Sequence, residues 1–208
     1  CGAKHQHKYF SSLCRTERQH RTAAQFALCQ SPVADRALIS HPKIHYNSIA
    51  VSTESLQQLG YTAKQMRTWP KTLPRTVDHS NFSDNWTDAP YSGIFDQTLF
   101  QIVNESHVDH AFQGYRSQFF TEKTFRPILE MQPFVIYGTP GINQHLRDIG
   151  YLTYEDWFDY SFDDEPDPYR RYQMLLNTVI ETCGRLDQLS QQKRVAWRFK
   201  NRTVLEHN

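Results

Sequence analysis

Two short apolar runs bracket a helical pattern near the middle of the chain, and this grouping restricts the fold more than any other stretch. Leu99, Phe100, Ile102 and Val103 form the first run, which stops at the polar triplet Asn104, Glu105, Ser106. Pro133-Phe-Val-Ile-Tyr137 forms the second, closed by Gly138, Pro140 and Gly141. Runs of this length bounded by turn formers read as strands buried on both faces. Between them, Thr121 is placed to cap a helix, and Phe125, Ile128, Leu129 and Met131 recur at helical spacing. Strand, loop, helix, strand is a βαβ unit. Its parallel strands deliver their carboxyl ends, and the polar residues there, to one rim.

The rest of the chain extends this unit into one domain. Residues 1–8 read as a polar tail, in which His5 and His7 are solvated rather than ligands. Tyr9 to Leu13 predicts a strand, and Ala23, Ala24, Phe26, Ala27 and Leu28 line a helix that ends before Pro32. Ala37 to Ser40 predicts a further strand. Leu56, Leu59 and Met66 keep helical spacing, and the stretch around 70–90, rich in Pro, Asp, Asn, Ser and Thr, reads as a loop insertion. Asp78, His79, Asp84 and Asp88 within it match no metal-ligand spacing. Tyr91 to Asp96 leads into the Leu99 strand. Ile142 to Ile149 predicts a helix ended by Gly150.

Tyr151 to Asp164 alternates aromatics with acids and lacks the ligand spacing of a calcium loop, so it reads as a lid or a packing segment. Tyr172, Leu175, Leu176, Val179, Ile180 and Leu186 give a long amphipathic helix from Pro168 to about Ser190. Residues 193–208 read as a basic C-terminal tail. The expected fold is therefore α/β and Rossmann-like, a mostly parallel sheet flanked by helices, over residues 9–192.

Composition narrows function by exclusion. With 208 residues and a net charge of +1, the chain has no global field to recruit nucleic acid or an anionic membrane. No apolar run approaches the roughly 20 residues that span a bilayer. The four cysteines, Cys1, Cys14, Cys29 and Cys183, show no C-x-x-C spacing, so neither a zinc site nor a disulfide follows from them. The triplets at Asn81, Asn85, Asn104 and Asn201 fit the glycosylation pattern at a frequency chance supplies. A chain that begins at Cys1 reads as a piece of a longer one.

Chemistry concentrates at the predicted rim. Lys123 in the first turn of a helix opposes the macrodipole, whereas Glu122 beside it is favoured there, which makes the lysine the more informative. Arg126 adds to the positive patch. Arg15, Arg18 and Arg21 follow the first strand, where guanidinium groups suit phosphate oxygens whatever the pH. Glu105 is open to three readings: a base, a partner for a sugar hydroxyl, or a partner for Arg21. His107 and His110 sit in the loop that follows.

These residues carry a resemblance. Asn104-Glu105-Ser106, a gap, Thr121-Glu122-Lys123 after an aromatic, a helix, and then Pro133-Phe-Val-Ile-Tyr-Gly138 resemble the donor-binding motif of the α1,3-fucosyltransferase family. The run Thr121-Glu-Lys-Thr-Phe-Arg-Pro127 and the later Asp156-Trp-Phe-Asp159 resemble still more closely a group of phage and giant-virus proteins. The resemblance implies one lobe of a two-lobed (GT-B) glycosyltransferase that takes a nucleoside-diphosphate sugar without a metal. It places Arg21, with Arg18 and Arg15 next in line, and Lys123 on the diphosphate, Glu122 on ribose or sugar hydroxyls, and Asn104 and Glu105 along the pocket. Glu105 and Lys123 then stand as the catalytic residues. Phe119 stands where the family has tyrosine, so a ring remains to stack on base or sugar while the phenol contact is lost. No D-x-D metal motif is present, and no cofactor beyond the donor is expected.

The acceptor, a glycan or protein, and the second lobe lie outside what these residues indicate. A missing N-terminal lobe or a partner chain would supply that half. The competing expectation is a non-catalytic structural or assembly protein, such as a virion component, that keeps the fold. Convergence of Arg21, Glu122 and Lys123 on one cleft separates the two.

Overall fold

The computed structural model describes residues 8–14, 16, 18–42, 61–68, 92–109, 118–200 and 202–208. Four strands, β1 (Phe10–Leu13), β2 (Ala37–Ser40), β3 (Phe100–Asn104) and β4 (Phe134–Tyr137), form one all-parallel sheet in the order β2-β1-β3-β4. Eight helices are described around it: α1 (Gln19–Gln30), α2 (Ala63–Thr68), α3 (Ser92–Gln97), α4 (Glu122–Leu129), α5 (Ile142–Asp148), α6 (Pro168–Asp187), α7 (Gln191–Lys200) and α8 (Arg202–His207). The fold is α/β and Rossmann-like, as the sequence predicts.

The strands are buried because the parallel sheet is covered on both faces, and the few polar residues they carry, Ser11, Ser12, Gln101 and Asn104, are buried with them. Every residue of β3 and β4 is buried. Phe100 stacks on Phe10 at 5.1 Å across the β1–β3 pair and meets Trp157 and Phe158 edge-on at 5.6 and 5.2 Å. Burial of one such ring is worth about 2–3 kcal/mol, and aromatic pairing adds about 1 kcal/mol.

The acidic-aromatic segment after α5 is thereby a packing element. Tyr154, Trp157, Phe158 and Phe162 are buried in the core, and Tyr154 meets Phe134 edge-on at 5.5 Å. Its Asp163 carboxylate accepts from the Asn143 and Gln144 main-chain N–H groups and from Asn143 Nδ2, holding the start of α5. At the far side of β4, the amide of Asn143 takes the place of a neighbouring strand. It accepts from Ile136 N at 3.1 Å and donates to Ile136 O at 3.0 Å. That pairing satisfies main-chain groups an edge strand would leave open.

Helix α6 starts at Asp167, which caps Arg170 N at 2.7 Å, and Pro168 occupies the first turn, where its missing N–H costs nothing. Tyr172, Leu175, Leu176, Val179 and Leu186 are buried along it, and α1 packs against it. The stretch read as a basic tail is instead largely helical and returns to the domain. Leu205 is buried, and Asn208 exchanges two hydrogen bonds with the main chain of Leu152. The charged spacing of 193–208 hid a few apolar positions, Leu205 above all, whose burial outweighs the polarity of their neighbours. The expected loop insertion around 70–90, and with it Asp78, His79, Asp84 and Asp88, lies outside the described residues, as do His5, His7, Arg15 and His110.

Candidate functional site

In this strand order β2 lies on one flank of β1 and β3, which follows β2 in the chain, on the other, so the order reverses at β1. In open parallel sheets ligands bind outside the carboxyl ends of the strands at such a reversal, here the ends of β1 and β3. From β1 the chain enters α1, whose first turn holds Gln19, His20 and Arg21 and no acid, with Arg18 at the N-cap making no side-chain cap hydrogen bond. From β3 come Asn104, Glu105 and Ser106. The start of α4 lies beside them with Thr121 as its N-cap, its hydroxyl accepting from Lys123 N.

Two cations from distant parts of the chain meet here. Arg21 Nη2 donates to Ser106 Oγ at 3.1 Å, and Lys123 Nζ lies 3.5 Å from the same oxygen. Arg21 is only 2 % exposed, and burial draws its pKa down. Lys123 is half-buried, and its ammonium also reaches Thr121 Oγ1 at 3.1 Å and Glu122 Oε1 at 2.9 Å. Burial, the largest single influence, works to raise the pKa of Glu122, but the hydrogen bond from Lys123, its own main-chain N–H and the charges of Lys123 and Arg21 together outweigh it, and the net shift is downward. Positive side chains therefore crowd the positive ends of two helices. In that arrangement each destabilises the empty site and each favours an anion.

Glu105 lies between these helix starts and is fully buried. Its Oε1 accepts from Thr121 N at 3.0 Å and Thr124 Oγ1 at 2.6 Å, while Oε2 accepts from Ser106 N at 3.1 Å and Thr121 Oγ1 at 2.6 Å. Four donors fill the acceptor capacity of a carboxylate. Its main-chain oxygen receives His20 Nε2 at 3.0 Å and Arg21 Nε at 3.2 Å. Glu105 meets Arg21 through its main-chain carbonyl and not through its carboxylate, which is taken up by Thr121, Thr124 and Ser106 N.

The other predicted residues divide. Glu122 and Lys123 stand in the first turn of α4 and Arg18, which is exposed, at the N-cap of α1. Phe119, two residues before the cap of α4, is 55 % exposed, its ring 5.8 Å from that of His107. Asn104 points inward: its Nδ2 donates to Ser12 Oγ at 2.9 Å within the sheet, and Gln25 Nε2 reaches the same oxygen at 3.0 Å. Arg126 faces Glu130 at 3.0 Å along α4. Among the described residues no three of His, Cys, Asp and Glu gather into a metal-binding group.

Three further residues shape the site without a sequence signal of their own. His20 donates from Nε2, because a carbonyl can only accept, and so carries its lone pair on Nδ1. Burial foremost, then the neighbouring Arg21, Arg18 and His107, lowers its pKa to about 4 against the opposing pull of that hydrogen bond. Thr124 occupies the helix position where a capping box has its acid; here the acid comes from β3. Arg171, 1 % exposed, donates to the carbonyls of Gly138, Glu165, Pro166 and Val108 and so ties the end of β4 to the loop after β3.

No family model, curated protein or solved structure matches the chain. What fold and site define together is a Rossmann-like α/β domain in which two cations, Arg21 and Lys123, meet at the topological switch point.

Proposed function

We propose that the chain binds a nucleoside-diphosphate sugar at the carboxyl ends of β1 and β3 and serves the metal-independent transfer of that sugar, as the donor lobe of a glycosyltransferase. The observation that carries this reading is the meeting of Arg21 and Lys123 on Ser106 at the mouths of two helices. Guanidinium, ammonium and helix N–H groups together suit a diphosphate, and they stabilise the charge it acquires on leaving. Arg18 extends the positive rim. Glu122 is placed to accept from ribose or sugar hydroxyls, and Phe119 offers a ring to the base or sugar. Glu105 holds the frame, so proton removal from the acceptor falls to a group outside the described rim.

A second reading, a binding or assembly protein without catalysis, draws support from two features. The carboxylate of Glu105 is committed, and Leu129, 73 % exposed, lies with Phe125, Met131, Ile149 and Leu152 among the exposed apolar residues. Calorimetric titration with GDP, UDP, ADP and CDP, repeated on Lys123→Ala, tests the donor-site reading. The expected result is binding of at least one diphosphate, weakened about tenfold in the variant, as loss of a charge-assisted contact implies. No binding of any of the four diphosphates by the intact chain overturns it.

A further inference from the structure

We infer that Glu105 is a positioning residue: it fixes the distance between the two cations of the site by seating α1 with its carbonyl and α4 with its carboxylate. This rests on the donor-site reading above and adds to it the part of the structure that sets the geometry. Arg21 is held to Glu105 O at 3.2 Å, and the turn that carries Lys123 is held to Glu105 Oε1 and Oε2 through Thr121 and Thr124. Its own N–H donates to Tyr137 O at 2.9 Å, so the residue is anchored to β4 as well. A buried negative charge beneath an anion site works against the ligand electrostatically. That cost is offset by the donors it satisfies, the Thr121 N–H and the Thr121 and Thr124 hydroxyls at the start of α4 and the Ser106 N–H, which stabilise it in return.

The pairing pattern makes this testable with one atom. Each carboxylate oxygen faces one main-chain N–H and one hydroxyl: Thr121 N and Thr124 Oγ1 on one, Ser106 N and Thr121 Oγ1 on the other. A hydroxyl can turn and accept; an N–H cannot. Whichever way the amide of Glu105→Gln is placed, its NH2 confronts a main-chain N–H, and the first turn of α4 is pushed off β3. The charge of Lys123 remains but no longer points at the ligand. Thr124→Val removes one donor without adding another, and Thr124→Ser restores it.

The experiment measures coupling. Affinity for the best-bound nucleoside diphosphate is determined for the intact protein, Lys123→Ala, Glu105→Gln and the double variant. In the intact protein Lys123→Ala costs about tenfold; in the Glu105→Gln background it costs less than about twofold, since the seat of Lys123 is already lost. Amide exchange of Thr121 accelerates about tenfold relative to amides of α6. An equal Lys123 effect in both backgrounds, or Thr121 exchange that tracks α6, overturns the inference. If Glu105→Gln does not fold, Thr124→Val decides in the same way: reduced coupling that Thr124→Ser restores supports it, and full coupling refutes it. Failure of every diphosphate to bind sinks the donor-site reading alone, and the exchange measurement then decides the seating.

Discussion

Arg21 and Lys123 share the hydroxyl of Ser106, with Nη2 at 3.1 Å and Nζ at 3.5 Å from Oγ. One reaches it from α1 and the other from α4, across the point where the strand order reverses. Lys123 is also held by Glu122 at 2.9 Å, so an incoming anion competes with a carboxylate for the same ammonium.

That competition has a measurable sign. Glu122→Gln releases Lys123 and is expected to strengthen the binding of inorganic pyrophosphate, which offers charge and no hydroxyls. Exposed pairs of this kind are worth about 0.2–1 kcal/mol, so the gain is about one-and-a-half- to fivefold. A nucleoside-diphosphate sugar gains less or loses, because the same substitution weakens the acceptor for its hydroxyls. Parallel titrations with the two ligands check the difference.

The low pKa of His20, about 4 against an ordinary 6.5, predicts a pH dependence of stability. Between these values the unfolded chain binds a proton at this site and the folded chain does not. Stability therefore falls as pH drops through the window from 6.5 to 4 and is fully regained above it. From pH 7 to pH 5 the expected loss from this residue is about 1–2 kcal/mol, allowing for its partial exposure. Urea midpoints at the two pH values, compared with His20→Gln, isolate it: the variant loses less on acidification.

Arg171 predicts the largest single loss. Arg171→Met leaves the carbonyls of Gly138, Val108, Glu165 and Pro166 without their donor and is expected to cost about 3–5 kcal/mol in denaturant unfolding. Arg171→Lys keeps the charge but not the planar fork, and is expected to cost about 1–3 kcal/mol.

At Gly138 a Cβ would lie 2.6 Å from Ile142 Cδ1 and 3.4 Å from Glu105 Cβ. Gly138→Ala is expected to destabilise by about 1–3 kcal/mol through overpacking. Ile142→Val, which removes the clashing methyl, is expected to return at least about 0.5 kcal/mol of that in a double-mutant cycle.

The strands, the cap at Thr121 and the helices α4, α5 and α6 were legible because burial on both faces, capping and helical spacing are written into adjacent residues. Residues 193–208 were misread as a tail because only a few apolar positions, among them Leu205, anchor them. Asn104 was expected along the pocket, yet its side chain turns to Ser12, a partner 92 positions away. Nothing local announces which of two neighbouring polar residues faces the site.

By itself, then, the sequence determined that this chain forms parallel strands with polar residues and cations delivered to one rim, because periodicity and chain direction are local properties. Only the tertiary structure decided that β1 lies between β2 and β3, that Glu105 spends its carboxylate on Thr121, Thr124 and the Ser106 N–H, and that burial draws the pKa of His20 down. Those outcomes depend on which groups meet across the sheet and how much water they lose, and such meetings are set by strand order rather than by the residues on either side.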